Sequence, residues 1–577
     1  VGVDRLPRVP LTPLGGGWGL GLGGATGGGG GLLGERIFWE LAGDAGLAGV
    51  LEKWRGAGAT EEEFWDSAAD KRWSFFEDMT WADRELRDRC VRDPRSLLRL
   101  AANPFLLTML YQVRAAEGSL PQNRGELFDR FVNRLLSRER LLVRDGESGE
   151  WRLRGEGEAL MAGLSGLAWE MSRRGGGVLT VVERREAEGA LGGGVLKKAL
   201  DSTILEGGEE LRFRHQLLQE YFTARAMRER LGMLSAGELW PVGQWWERTG
   251  WEESAVLLAG LYGEDCGPVV RWLGEAQPEV AARCVLESGA EVKGREELLA
   301  ELQGRWRGRL LGERVPEGRA AVGRALGRLG LDDRRGVGLR ADGWPDIDWV
   351  RIPGGEFVYQ QGERRREETF YMARYPVTNR QYQVFLEDAE GYAADRWWAG
   401  MTNPERRPAK GAWEEGNSPR ERVSWREAMA YCAWLSERLG YPVTLPTEWQ
   451  WERAARGRDG REYPWGNGYV AGSANVDETV RDQGPHSLGR TSAVGIYPAG
   501  ASVEGVMDLS GNVWEWCRNE YGKPKRVQLS GTEPRVLRGG GWLSLPDNAR
   551  AANRYDVRPD FRYLRCGFRS GCSSPIR

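Results

Sequence analysis

The sequence predicts a multidomain chain, with a helical N-terminal half followed by an α+β domain rich in loops. Three observations carry that prediction. A chain of 577 residues is too long for one hydrophobic core, so about two to four domains are expected. From about residue 35 to residue 335, apolar residues recur at three- and four-residue steps, the period of helices packed on one face. Beyond residue 348 the texture changes to tryptophan, glycine and short strand-like pieces broken by turns.

Composition narrows the function classes. Apolar content of 41% and charged content of 29% are ordinary for a globular protein. A net charge of −3 gives no electrostatic case for nucleic acid or an anionic membrane as partner. No run of about twenty apolar residues is present to span a bilayer. The first residues, VGVDRLPRVP, lack the basic-then-apolar order of a secretion signal, although a start at Val1 leaves an upstream segment open. Seven scattered cysteines, odd in number and without CxxC spacing, argue against a disulfide scaffold and a zinc site. A cytoplasmic location is the expectation. His215 and His486 are the only histidines, too few for a histidine-rich metal centre.

Residues 1–34 form a glycine-rich, low-complexity segment. A phosphate-binding loop needs GxxxxGK[ST], whose lysine reaches the phosphates, and the first lysine of the chain is Lys53. A flexible tract is therefore expected at 1–34. Residues 35–235 read as helices. Asn103-Pro104 marks a helix start, GELFDRFVNRLLSRERLL is amphipathic, and residues 213–227 place Phe213, Leu217, Tyr221 and Phe222 on one apolar face. His215 between apolar neighbours is expected to pack or cap rather than act as a base. Residues 236–335 contain short helices with small and apolar faces, spaced like two-helix, HEAT-like repeats. Residues 336–347 are rich in Gly, Asp and Arg and read as a linker.

The phrases NPFLLTMLYQV…GSLPQNRGELFDRFV and FRHQLLQEYFTARAM resemble the helical and winged-helix part of NACHT-type signalling NTPases. That resemblance implies an all-α N-terminal half with winged-helix and HEAT-like parts. The absence of a Walker A loop argues against ATP hydrolysis by this chain as it stands.

Residues 348–577 carry IPGGEF (352–357), YPVTNRQY (375–382), VSWREAMAYC (423–432), LPTEWQWERAARG (445–457), YPWGN (463–467), DLSGNVWEW (508–516), RVLRGGGW (535–542) and GFR (567–569). Within them Thr378 or Asn379 should open a helix and Gly440 should end one. In that order these pieces resemble the formylglycine-generating enzyme, or sulfatase-modifying factor, family, whose fold is a variant of the C-type lectin. The resemblance implies an α+β C-type-lectin-like domain rich in loops. Family members that make formylglycine use a copper-binding cysteine pair shortly after the RGG-aromatic motif. Here residues 538–554 contain no cysteine, and Cys566 and Cys572 lie later. Because a thiolate is the ligand and nucleophile such an oxidation requires, no catalytic residue and no cofactor are expected. The resemblance also implies a calcium site at Asp508 and Glu515 with the carbonyls of Gly511 and Val513. The alternative is Glu515 paired with a core arginine.

The end of the chain alternates a framework of Gly, Pro, Asn and Arg with insets of unrelated residues. This resembles the variable region of proteins diversified by retroelements, in which the first two bases of Asn-type codons are randomised. Such codons cannot produce Glu, Lys, Gln, Met or Trp, and none of these occurs from Leu543 to Arg577. The candidate ligand-binding positions are Leu543, Ser544, Leu545, Tyr555, Asp556, Val557, Arg558, Phe561, Tyr563, Leu564 and Arg565. Tyr and Phe supply rigid contact area with little rotamer entropy to lose. Arg550, Arg554, Arg562 and Arg569 are assigned to the framework. The expected function is a non-catalytic sensor that binds a protein or other macromolecule through this surface. The helical region would serve self-association or a signalling partner. A divergent oxidase, or an ATPase completed by a missing N-terminus, is the alternative.

Overall fold

The computed structural model describes residues 121–574, apart from short gaps, and isolated residues between 100 and 113. The glycine-rich tract lies outside the described residues. Packing divides the chain into two units, residues 1–122 and 123–577. In the first, the Asn103 side chain accepts hydrogen bonds from the backbone of Phe105 and Leu106, as a helix cap does.

The second unit begins with α1 (Arg124–Arg138), the hairpin of β1 (Leu142–Arg144) and β2 (Trp151–Leu153), and α2 (Gly155–Arg174). Then come β3 (Val182–Glu183), α3 (Arg184–Leu191), α4 (Gly193–Asp201), β4 (Leu205–Gly207), β5 (Glu210–Phe213) and α5 (Gln216–Arg230). The three strands form a small antiparallel sheet of order β3-β5-β4. Helix, strand, two helices and a hairpin in this order make a winged helix, and the described part of the N-terminal half is mainly helical, with five short strands that include the wing. His215 caps α5, its Nδ1 accepting from the Leu217 amide at 3.2 Å.

Six helices follow: α6 (Ala236–Leu239), α7 (Glu252–Leu261), α8 (Gly267–Ala276), α9 (Pro278–Glu287), α10 (Arg295–Gly312) and α11 (Pro316–Leu329). Three of them begin with Pro in the first turn or just before it, where the missing N–H costs nothing. No helix among the described residues is long and apolar enough to cross a membrane.

Helix α11 joins the halves. It packs on α9 and α10 and also on the C-terminal domain. Gly323 sits against Ala493, and Gly327 lies so close to Asn417 that a β-carbon would overlap it. The Asn417 side chain donates to the Gly323 carbonyl at 2.8 Å, and Arg319 donates to the Ile496 carbonyl at 2.6 Å. Glu415 is buried between Arg328 and Arg490. Residues 336–347, expected as a linker, are tied down as well. The Gln381 side chain donates to the carbonyls of Gly336 and Asp346, and Thr378 donates to that of Val337.

The C-terminal domain contains β6 (Trp349–Ile352), β7 (Gly355–Tyr359), β8 (Glu363–Glu367), β9 (Phe370–Ala373), α12 (Asn379–Glu387), α13 (Trp425–Leu439) and α14 (Glu448–Arg456). It continues with β10 (Trp514–Glu520), β11 (Arg535–Arg538), β12 (Arg554–Val557), β13 (Cys566–Gly567) and β14 (Gly571–Cys572). All three helices open with a capping box, Thr378 with Gln381, Ser424 with Glu427 and Thr447 with Gln450. Helix α13 stops at Gly440 in the left-handed conformation. Strands run β12-β11-β10-β13 in one sheet and β14-β9-β6 in another. The larger core gathers Tyr382, Phe385, Trp425, Tyr431, Trp434, Trp516 and Phe568 around α13. Few residues are in strands and many in loops, as expected of this half.

Candidate binding face and its arginine framework

The face is built on β10, which carries Trp514 and Trp516 into the core cluster and presents Glu515 to the opposite side. Glu515 is 1% exposed. Arg569 grips both of its oxygens, at 2.6 and 2.5 Å, and the Trp451 indole donates to it at 2.8 Å. The same guanidinium donates to the carbonyls of Ala373, Arg374 and Met507. Arg538 pairs with buried Glu452 and donates to the carbonyls of Ala552 and Asn553, both at 3.0 Å. Arg554 reaches Glu448 and the Tyr521 carbonyl, and Arg562 holds Glu427 and the Arg407 carbonyl. Arg550 pairs with Asp547 near the surface. A guanidinium offers five donors in a fixed plane, so one side chain can bind a carboxylate and several loop carbonyls together.

On this framework the backbone of the insets is fixed while many of their side chains point outward. The Trp514 amide donates to the Arg565 carbonyl at 2.7 Å, and the Tyr563 carbonyl accepts from both Arg422 and Cys566. Gly541 lies against Arg565 and the Trp514 ring with no room to spare. The Tyr555 ring centroid is 5.9 Å from that of Trp514. The segments around 541, 555 and 565 therefore meet at Trp514. Phe561 and Tyr563 pair with each other at 4.2 Å. Leu543, Tyr555, Phe561 and Tyr563 are 52%, 54%, 42% and 40% exposed, an unusual amount of accessible apolar surface. Asp556 and Arg558 are exposed, and Leu545, Leu564 and Arg565 are half-buried.

Two expected positions do not belong to the face. Ser544 is buried because it closes a turn. Its hydroxyl accepts from the Gly541 amide, its amide donates to the Gly541 carbonyl, and its carbonyl accepts from Asp477. Val557 pairs with Arg535 across β11 and enters the core. It shares a strand face with Tyr555, but its side chain joins the core cluster while that of Tyr555 stays exposed.

The sequence reading missed a cavity beside the face. It measures about 470 Å³ and is bordered by Asn403, Pro404, Glu405, Arg426, Thr532, Arg558, Asp560 and Arg562. No motif marks the 403–405 loop. A local hint is Arg426, a cation in the first turn of a helix, where negative charge is favoured; the structure buries it almost wholly.

The described cysteines of this neighbourhood are not activated as thiolates. All six described cysteines are buried and free. Burial pushes the thiols of Cys432, Cys566 and Cys572 up to about 12, which keeps them protonated at neutral pH. Among the described residues no three His, Cys, Asp or Glu side chains cluster as metal ligands. The implied calcium site does not fit its residues. Both oxygens of Glu515 are taken by a guanidinium, which leaves no anionic cradle for a cation. Asp508 accepts from the Gly495 amide at 2.7 Å, and burial pushes its carboxyl up to about 6.

Comparison with known proteins agrees with the motifs. Residues 344–571 match the sulfatase-modifying factor enzyme 1-like domain. Inactive C-alpha-formylglycine-generating enzyme 2 of Mus musculus is 30% identical over 283 residues, covering 40% of this chain and 87% of that protein. Hercynine oxygenase of Mycobacterium tuberculosis is 34% identical over 238 residues, covering 35% of this chain and 52% of that protein. Among solved structures, Treponema denticola variable protein 1 aligns at 20% identity and a TM-score of 0.29, over 40% of this chain and 95% of its own. With eight motifs in order and most of an inactive relative's length matched, the chain belongs to the sulfatase-modifying factor enzyme 1-like family.

Proposed function

We propose that this protein recognises a macromolecular ligand, a protein in the first instance, through the face formed by residues 543–565, and that it does so without catalysis. One observation carries the reading: the backbone of this stretch is hydrogen-bonded to a buried framework while its large apolar side chains are left accessible. That arrangement tolerates change of side chain without loss of fold, which suits a surface diversified by a retroelement. The name of the mouse relative, an inactive formylglycine-generating enzyme, supports a non-catalytic role for the domain. The free buried thiols suit a reducing, cytoplasmic setting. The winged-helix and following helices, joined to the domain through α11, would pass the binding event to self-association or to a signalling partner.

The test selects binders from a displayed peptide library against the full chain and compares them on a variant carrying Y555S, F561S and Y563S. Loss of about tenfold or more in affinity is expected, since aromatic side chains dominate such interfaces. Equal affinity for both chains would refute the reading.

A further inference from the structure

The loop that carries Phe561 also borders the 470 Å³ cavity, which is within the range of about 300–1,000 Å³ typical of small-ligand sites. Most charges around it are already engaged. Arg558 is held by Asp560 at 3.2 and 2.5 Å, and Arg562 by Glu427 at 2.8 and 2.7 Å. Arg426 donates to the Asn403 carbonyl at 3.3 Å and approaches Glu405 only to 3.7 Å.

Glu405 is different. Its side chain is 11% exposed, yet neither of its oxygens accepts a hydrogen bond. It is the one carboxylate among the described residues with both oxygens buried in that condition. Burial raises its pKa and nearby Glu427 adds to the rise, while the Ser424 hydroxyl, close but outside hydrogen-bond geometry, and Arg426 oppose it only in part. A buried carboxylate so poorly served by donors is costly, and a guest bringing N–H groups and positive charge reduces that cost. Glu405 lines the cavity with its oxygens turned inward, so a guest engages them by drawing them towards it. An anionic guest is disfavoured, because Arg558 and Arg562 are already neutralised by carboxylates of the protein itself.

We propose that this cavity is a subsite for a cationic side chain of the ligand, a guanidinium or ammonium group, with Glu405 as its acceptor. The proposal rests on the reading of residues 543–565 as a binding face, of which the cavity is the polar edge. Aromatic contacts around Trp514 would supply apolar area, and Glu405 would select for one basic residue beside it.

Calorimetric titration of the full chain with N-acetyl-L-arginine methylamide tests it, alongside the uncharged citrulline analogue of the same shape. The arginine probe should bind, and both the citrulline probe on the parent chain and the arginine probe on Glu405→Gln should bind about tenfold more weakly or less. The citrulline comparison needs no variant, so it stands even if the substitution disturbs folding. Equal binding of the two probes, no binding of the arginine probe, or its displacement by acetate would overturn the subsite. The triple serine chain should still bind the arginine probe. If the probe fails while selected binders still need the aromatic residues, only the subsite falls, and the binding face stands.

Discussion

The helical half and the C-terminal domain differ in what their arginines hold: Arg283 and Arg324 hold carboxylates, whereas Arg569, Arg538 and Arg535 hold loop carbonyls. In the helical half α2 and α5 pack together, and their buried residues are mostly apolar, among them Leu164, Ala168, Leu218 and Phe222. A carboxylate buried near it is poorly served. Glu220 accepts one hydrogen bond from Gln216, lies 3.8 Å from Arg124, and has its pKa raised to about 7 by burial. In the C-terminal domain Glu452 and Glu515 are more deeply buried, but each is gripped by arginine. Helices satisfy their own backbone, so their cores need little beyond apolar packing. A loop-rich domain leaves carbonyls without ladder partners, and a buried guanidinium supplies donors to several of them. Arg535 does the same with the carbonyls of Arg518, Gln528 and Ser530.

That contrast breaks first at Arg569. Replacing it by Met should cost about 3–5 kcal/mol, because Glu515 and three carbonyls lose their donors together. Urea denaturation measures this, and a cost under about 1 kcal/mol would show that the arginines are not what holds the loops.

Glu220→Gln should act in the opposite direction. The folded carboxyl titrates at about 7 against an ordinary 4.5, so the folded state holds its proton over that window. Its contribution to stability therefore falls as pH rises from 4.5 towards 7. Glutamine should be nearly neutral at pH values below that window and stabilising by roughly 1–3 kcal/mol above it. A gain that stays constant across thermal melts at several pH values would remove burial of the charge as its cause.

The smallest effect is expected on the proposed binding face. Serine at Tyr555, Phe561 and Tyr563 should change stability by about 0.5 kcal/mol or less per site. Trp514→Ala, beneath them, should cost roughly 3–5 kcal/mol. Thermal melts of both variants sharpen the division between face and framework, and a large loss in the serine chain would place these aromatics in the core.

Much of this was legible because its signals are local. The capping residues at Thr378, Ser424 and Thr447 and the stop at Gly440 act on neighbours within one helical turn. The His215 cap is of the same kind. The framework arginines could be recognised by type, since bidentate recognition suits few other side chains.

The sequence by itself determined the motif order, the helix ends, the absence of a cysteine pair after the RGG motif and the exposed aromatic insets. Only the tertiary structure decided which insets are lost to the interior. Ser544 is drawn inward by its turn with Gly541, which the Asp477 amide meets from outside the insets, and Val557 is buried in the core cluster. It also decided that Arg569 takes Glu515, that α11 locks onto Asn417 and Glu415, and that Glu405 meets the 558–562 loop. Each of these depends on residues tens to more than a hundred positions apart. Burial is set by whatever the whole chain brings alongside a residue, whereas caps and turns are set by the few residues on either side.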